Sequence, residues 1–252
     1  MAREPDLTLF TTADAGAGGG VLRVLTNLAN GLTEEGVSVE LLVSGSAERP
    51  PADLAPRVAV TGLGVDGVRS ALRPLLAHFR ARRPVRVLSA MEHANILAVV
   101  ARGLAGAPAR LVLSTHGSIA ERRAHIWSRR DRIVMPRLIR HLYPRADAAV
   151  AVSHGIAGEL RSLAPNAAGH IHAIHNPIAL PEPVPGFKAD APSGERPLLL
   201  AAGRMIGLKN FAGLLDAFAR AAAQRPLRLA ILGDGKQRDM LEARAEALCI
   251  AD

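Results

Sequence analysis

The feature that most constrains this chain is an alternation. Short, unbroken apolar runs recur along it, separated by stretches patterned for helices. LTLFT (7–11) comes first. Val21, Leu22, Leu25, Leu28, Ala29 and Leu32 then fall at i, i+3, i+4, i+7 spacing, one apolar face of a helix that Gly36 ends. VSVELLV (37–43), RVAVT (57–61), VRVLS (85–89), ARLVLS (109–114), ADAAVAV (146–152) and HIHAI (170–174) read as further strands. An Arg-bearing helix lies between the third and fourth, and helices are expected around 126–143 and 155–163. Strands that are apolar throughout must be covered on both faces, which predicts an α/β fold with a parallel sheet.

Residues 175–197 interrupt the pattern with six of the chain's 17 prolines. They divide the chain into a domain over 1–174, a Pro-rich crossover linker over 175–196 and a second unit over 197–252. In the second unit the pattern restarts: strand PLLLAAG, helix 210–224, strand LRLAILG (227–233), helix 237–248. Two strands and two helices bury little apolar surface on their own, so either this unit docks on the first sheet or, the favoured reading, the chain is a piece of something longer.

Composition narrows the class. The chain has 28 arginines and only three lysines: Lys188, Lys209 and Lys236. Residues 69–145 hold 16 of the arginines against three acids, Glu92, Glu121 and Asp131, a local net charge of +13. Such a patch attracts anionic surfaces, a membrane face among them. Nucleic acid is disfavoured, because aromatics make up 3% of the chain and no nucleic-acid signature occurs. The single Cys249 excludes an intramolecular disulfide. MAREPDLTLF lacks the apolar stretch of a signal peptide, and no run approaches the ~20 residues of a membrane span. The expected location is cytoplasmic, with peripheral attachment at the inner membrane face as the variant.

Five stretches carry candidate chemistry. TTADAGAGGGVLRV (11–24) is a glycine-rich turn between strand and helix, suited to phosphate at a helix N-terminus. It departs from a dinucleotide fingerprint, since the third glycine after Gly16-x-Gly18 is missing. LSTHGSI (113–119) places His116 just past a strand end, where doubly wound sheets bind ligands, or where a histidine caps the next helix. AVAVSHGI (149–156) lies one residue from a nucleophile elbow. A serine hydrolase would use Ser153 with Asp190 and one of His170, His172 or His175; the alternative is that Ser153 caps a helix. HIHAIHNP offers an H-x-H-x-x-H metal spacing with no adjacent Cys or carboxylate. Finally, PLLLAAGRMIGLKNF puts Arg204 after a strand and Lys209 before a helix that Asn210 can cap. A planar guanidinium and a mobile ammonium there can hold a diphosphate leaving group. LGDGKQRDMLEA (232–243) repeats the device at the next turn, with Gly233 and Gly235 freeing the backbone.

Taken in order, these stretches resemble the retaining glycosyltransferases of family 4, which have the GT-B architecture. GAGGGVLRVLTNLANGLTEEGVSVELL is similar to the family's glycine loop, first helix and second strand. STHG resembles its acceptor-side His turn, and AVSHGIAGEL and IHNPI the turns before the crossover. AAGRMIGLKNFAGLLDAF resembles its GR…KN signature and LAILGDGKQRDMLEA its GDG turn. The resemblance implies a complete Rossmann-like N-terminal domain and a partial second one, facing a cleft. Arg204, Lys209 and Gly235 would bind the donor's diphosphate, with Gly18 and Gly19 closing on it and His116 near the transferred sugar. The sugar would move from a nucleotide-diphosphate-sugar to a glycan or lipid-linked acceptor with retention. No metal or other cofactor would be required, because the cations replace it. A membrane-linked acceptor would give the +13 segment a purpose.

Two departures matter. The family's second domain continues about a hundred residues further, as a domain of ordinary size would, and carries a glutamate pair spaced E-x7-E. The one such spacing here, Glu40 and Glu48, falls on a strand interior and reads as coincidence. HNPIA has Ala179 where many relatives carry Asp. The expectation is a truncated chain, inactive alone. Outside the family, the alternatives are a non-catalytic module binding anions or a membrane surface, and the Ser153 hydrolase.

Overall fold

A computed structural model describes residues 4–13, 15, 19–178 and 196–251. The chain forms two compact units, divided at residue 180. The first holds β1 (Leu7–Thr11), α1 (Gly20–Glu34), β2 (Val39–Val43), β3 (Ala59–Gly62), α2 (Leu72–Arg82), β4 (Arg86–Ala90) and α3 (Glu92–Ala105). It continues with β5 (Arg110–Thr115), α4 (Ile119–Glu121), α5 (Asp131–Leu142), β6 (Ala148–Ala151), α6 (His154–Leu163) and β7 (Ile171–Ala173).

The seven strands are parallel, in the order β3-β2-β1-β4-β5-β6-β7. Strand order reverses between β1 and β4, the switch point of a doubly wound Rossmann sheet. Successive side chains of β1 serve opposite layers. Leu9 joins Leu22, Leu25 and Ala29 of α1, whereas Phe10 joins Leu75 and Phe79 of α2. All seven are essentially buried, which is why the runs read as continuously apolar.

Local chemistry sets the element ends. Gly36, at φ 83°, closes α1: its N–H donates to Thr33 O at 3.1 Å and Val37 N–H to Leu32 O at 2.9 Å. Ser153 caps α6, its Oγ accepting from Ile156 N–H at 3.3 Å. The expected helix over 126–143 begins later, at Asp131, because the chain first makes a π-helical turn over Arg122–Ile126 that Trp127 ends.

Glu40 is buried inside β2. Thr8 Oγ1 donates to its Oε2 at 3.0 Å, Thr61 Oγ1 to its Oε1 at 2.7 Å, and His78 Nε2 lies 3.3 Å from Oε2. Burial alone raises such a carboxyl, but these partners outweigh it and leave Glu40 below the ordinary range. Glu40 therefore ties three core elements together, in keeping with the reading of its spacing to Glu48 as coincidence.

The second unit holds β8 (Leu198–Ala202), α7 (Phe211–Ala222), β9 (Arg228–Leu232) and α8 (Arg238–Ala247), with β8 and β9 parallel. Its core is Met205, Phe211, Leu215 and Leu241. Arg244 of α8 grips Asp216 of α7 with two bonds, Nε to Oδ1 at 3.0 Å and Nη2 to Oδ2 at 2.6 Å. Leu200 and Leu232 stay well exposed, at 63% and 57%.

Candidate functional site

In the second unit, two consecutive strand-to-helix turns form one rim. β8 leads into Gly203, Arg204 and Met205, then a 3-10 turn over Gly207–Lys209. Asn210 is left-handed at φ 50° and caps α7, its Oδ1 accepting from Gly213 N–H at 3.3 Å. β9 leads into Gly233, Asp234 and Gly235.

Backbone bonds lace the turns together. Gly203 N–H donates to Leu232 O at 2.9 Å, Met205 N–H to Asp234 O at 2.8 Å, and Gln237 N–H to Met205 O at 3.1 Å. The approach is too close for a side chain. A Cβ on Gly233 would stand 1.9 Å from Gly203 O, and one on Gly235 2.6 Å from Met205 O. Both residues also have positive φ, 150° and 153°. Met205 is 8% exposed and pins the rim to the core.

Arg204, Lys209 and Lys236 stand exposed on this rim, with no ion pair among the described residues. The Lys209 stem passes over Gly203, its Cδ and Cε 3.8 Å from where a Cβ would lie. The first turn of α7 carries no acid, so its N-terminal dipole end is uncompensated. Asp234 turns its carboxylate back, Oδ1 accepting from Gly235 N–H at 2.8 Å. The rim can thus hold a compact polyanion. Sequence reasoning named Arg204, Lys209 and Gly235 but passed over Met205, the brace, and Lys236.

In the first unit, Gly19 precedes α1 at φ 101° and no side chain caps the helix. Gly18 lies outside the described residues. A cleft of about 430 Å³ opens beside Gly19, lined by Arg23, Thr26, Arg49 and Asp53 among others. Arg23 is paired with Asp53 at 3.1 Å.

His116 follows β5, at the strand-end rim. Its Nε2 and Ser114 Oγ are hydrogen-bonded at 2.9 Å, while Nδ1 is buried with no hydrogen-bond partner among the described residues. Burial, and then the nearby Arg122 charge, hold the imidazole down at about 4. It is therefore neutral at physiological pH. Ser118, not His116, caps the next helix, its Oγ accepting from Glu121 N–H at 3.1 Å.

Behind His116 lies a polar cluster that sequence reasoning missed. Glu92, fully buried at the start of α3, has Arg122 Nε 3.4 Å from its Oε2, and neither carboxylate oxygen has a hydrogen bond among the described residues. Arg122 also packs on Gly117, where a Cβ would meet its Nε at 2.9 Å. Tyr143 OH accepts from Asn95 Nδ2 at 2.9 Å and lies 3.1 Å from Thr115 Oγ1. Asn95 also accepts from Ser89 Oγ at 2.6 Å and donates to Ser114 O at 3.0 Å. Burial, reinforced by Glu92, pushes the Tyr143 phenol well above its usual range. The only hint in the sequence is that Tyr143 is the sole tyrosine.

The other candidates separate. Ser153 is engaged as a cap, and Asp190 lies outside the described residues, as do Ala179 and most of the expected linker. His175 meets His154 edge-on, ring centroids 5.8 Å apart, rather than joining His170 and His172. Among the described residues no group of three or more metal-ligating side chains forms, and no helix is long and apolar enough to cross a membrane.

The chain thus presents a switch-point Rossmann unit and, in its second unit, an exposed cationic rim at two strand-to-helix turns. The family model for Glycosyltransferase Family 4 matches residues 18–181, and the chain belongs to that family. Comparison with curated sequences returns no significant match.

Solved structures agree in fold. Sucrose-phosphate synthase from Thermosynechococcus elongatus superposes with a TM-score of 0.74 at 15% identity, over 99% of this chain and 69% of that one. The lipopolysaccharide outer core galactosyltransferase WaaB gives 0.67 at 18%, over 97% and 65%. HepE of Anabaena in complex with UDP-glucose gives 0.67 at 15%, over 98% and 66%. The fold is the GT-B type, and this chain spans about two thirds of the length of these proteins.

Proposed function

We propose that the chain serves transfer of a sugar from a nucleoside-diphosphate sugar to an acceptor hydroxyl, with retention at the anomeric carbon. The observation that carries this reading is the laced rim, where Arg204 and Lys209 stand exposed and unpaired beside a helix N-terminus whose first turn carries no acid. Arg204 binds two phosphate oxygens with its planar fork and Lys209 adds a point charge. Gly235 keeps the second turn close, and Gly18 and Gly19 of the first unit's glycine loop are proposed as further donor-binding residues. The two cations offset the diphosphate's charge, so the reading needs no metal. HepE supports the donor class, since it was solved with UDP-glucose.

His116 is the sugar-side residue in this reading. A neutral imidazole can share a hydrogen bond with a sugar hydroxyl without taking its proton. That bond requires Nε2 to exchange Ser114 for the sugar.

The acceptor is a glycan or a lipid-linked group, and an anionic membrane face is the partner surface. The exposed side of α5 supports this: Ile133, Arg137, Arg140 and His141 follow Arg129 and Arg130, and the turn before them exposes Arg123 and Ile126. The one acid of α5, Asp131, is already bonded by Ser128 Oγ at 2.7 Å. Basic side chains with interspersed isoleucines suit an anionic interface.

Calorimetric titration with UDP-glucose, GDP-mannose and ADP-glucose tests the donor reading. At least one must bind, and Lys209→Ala must weaken it; wild-type affinity in that variant overturns the assignment.

A further inference from the structure

We infer that Lys236 is a third anion-binding group of the same rim, tuned to the charge that appears when the donor breaks. The inference rests on the donor reading above. Gln237 N–H binds Met205 O at 3.1 Å, and Met205 N–H binds Asp234 O at 2.8 Å. The segment 234–237 therefore wraps Met205, the residue next to Arg204. Gln237 Nε2 lies 3.7 Å from where a Cβ on Gly207 would be, so the same segment reaches the 3-10 turn that ends in Lys209. Lys236 is carried between these two points, exposed and without a partner among the described residues. Of the neighbouring acids, Asp234 turns onto Gly235 N–H and Glu242 onto Arg238 Nε at 2.9 Å, while Asp239 stands exposed in the first turn of α8.

Two cations already match the two negative charges of a sugar-linked diphosphate. In the transfer, the bond between the anomeric carbon and the β-phosphate oxygen breaks, and its electron pair stays on that oxygen. The acceptor oxygen bonds to the anomeric carbon and its proton passes to water. The leaving nucleoside diphosphate thereby gains a negative charge on its terminal phosphate, whose last pKa is about 6. A third cation on the rim answers that charge. Such a group contributes more to the departing state than to the bound donor, which is how binding becomes rate.

The test uses the full chain and titrates inorganic pyrophosphate, UDP and UDP-glucose into wild type, Lys236→Ala, Lys236→Arg, Arg204→Ala and Lys209→Ala. One exposed charge pair is worth about 1 kcal/mol in water, or roughly fivefold in affinity. Lys236→Ala is expected to weaken pyrophosphate and UDP about fivefold and UDP-glucose by less than twofold, and Lys236→Arg to keep wild-type affinity. Equal losses for UDP and UDP-glucose overturn the leaving-group role. If Lys236→Ala binds as wild type while Arg204→Ala and Lys209→Ala are weakened, the inference fails and the donor reading stands. If wild type binds none of the three ligands, or no variant is weakened, both fail.

Discussion

Arg122 Nε lies 3.4 Å from Oε2 of Glu92, a carboxylate with no exposed surface and no hydrogen bond among the described residues. The guanidinium is the compensation for that buried charge. Removing one member of such a pair costs about 3–5 kcal/mol, because the other is left uncompensated. Arg122→Ala should therefore destabilise the first unit by about 3 kcal/mol, and adding Glu92→Gln should restore part of the loss. Urea unfolding followed by fluorescence of Trp127, the only tryptophan and 4% exposed, reads this unit directly. Wild-type stability in Arg122→Ala would contradict the pairing.

Acid should weaken the first unit through His116. Its folded value is about 4, against an ordinary 6.5, so between these values the unfolded chain binds more protons. Stability is then complete above about pH 6.5 and falls as pH drops toward 4, by on the order of 2–3 kcal/mol. His116→Gln should flatten this limb of the stability–pH curve. A curve of unchanged slope in the variant rules the assignment out.

The three rim glycines should respond differently. Gly233→Ala meets Gly203 O at 1.9 Å in a conformation side chains avoid, and Gly235→Ala meets Met205 O at 2.6 Å. Each should cost more than about 2 kcal/mol through strain at a special backbone position. Gly203→Ala meets only the Phe211 ring at 3.5 Å and the Lys209 stem at 3.8 Å, ordinary contacts, and should stay within about 1 kcal/mol. Hydrogen exchange of the β8 and β9 amides distinguishes the three.

Membrane attachment should be electrostatic first. Replacing Arg123, Arg129, Arg130 and Arg137 together by Ala should remove about 4 kcal/mol of binding to phosphatidylglycerol-rich vesicles, near 1 kcal/mol for each charge. Raised salt should do the same to the wild type. Ile133→Ser should weaken binding with the charge of the face unchanged. Vesicle sedimentation that is indifferent to all three changes would remove the membrane from the reading.

Much of the fold was legible because parallel strands buried on both faces leave unbroken apolar runs, and Leu9 and Phe10 show why: adjacent residues serve opposite cores. Arg204, Lys209 and Gly235 could be singled out as candidates because they stand in strand-to-helix turns, which local pattern marks. Glu92 and Arg122 were not, since 30 positions separate them and only the strand order brings them together. The π-helical turn at Arg122–Ile126 was hidden for another reason: its composition continues that of α5, so periodicity merges the two. Met205 reads in sequence as an ordinary apolar loop residue, because what it contributes is its backbone.

That backbone has a consequence for comparing and recombining relatives. Met205 gives its N–H to one turn position, Asp234, and receives one from another, Gln237. Residues 203–210 and 233–237 are therefore one inheritable cassette. A chimera that grafts residues 233–237 alone keeps both bonds to Met205 only where the incoming turn follows the same backbone path. A graft carrying both turns brings the matching backbone with it and preserves the rim.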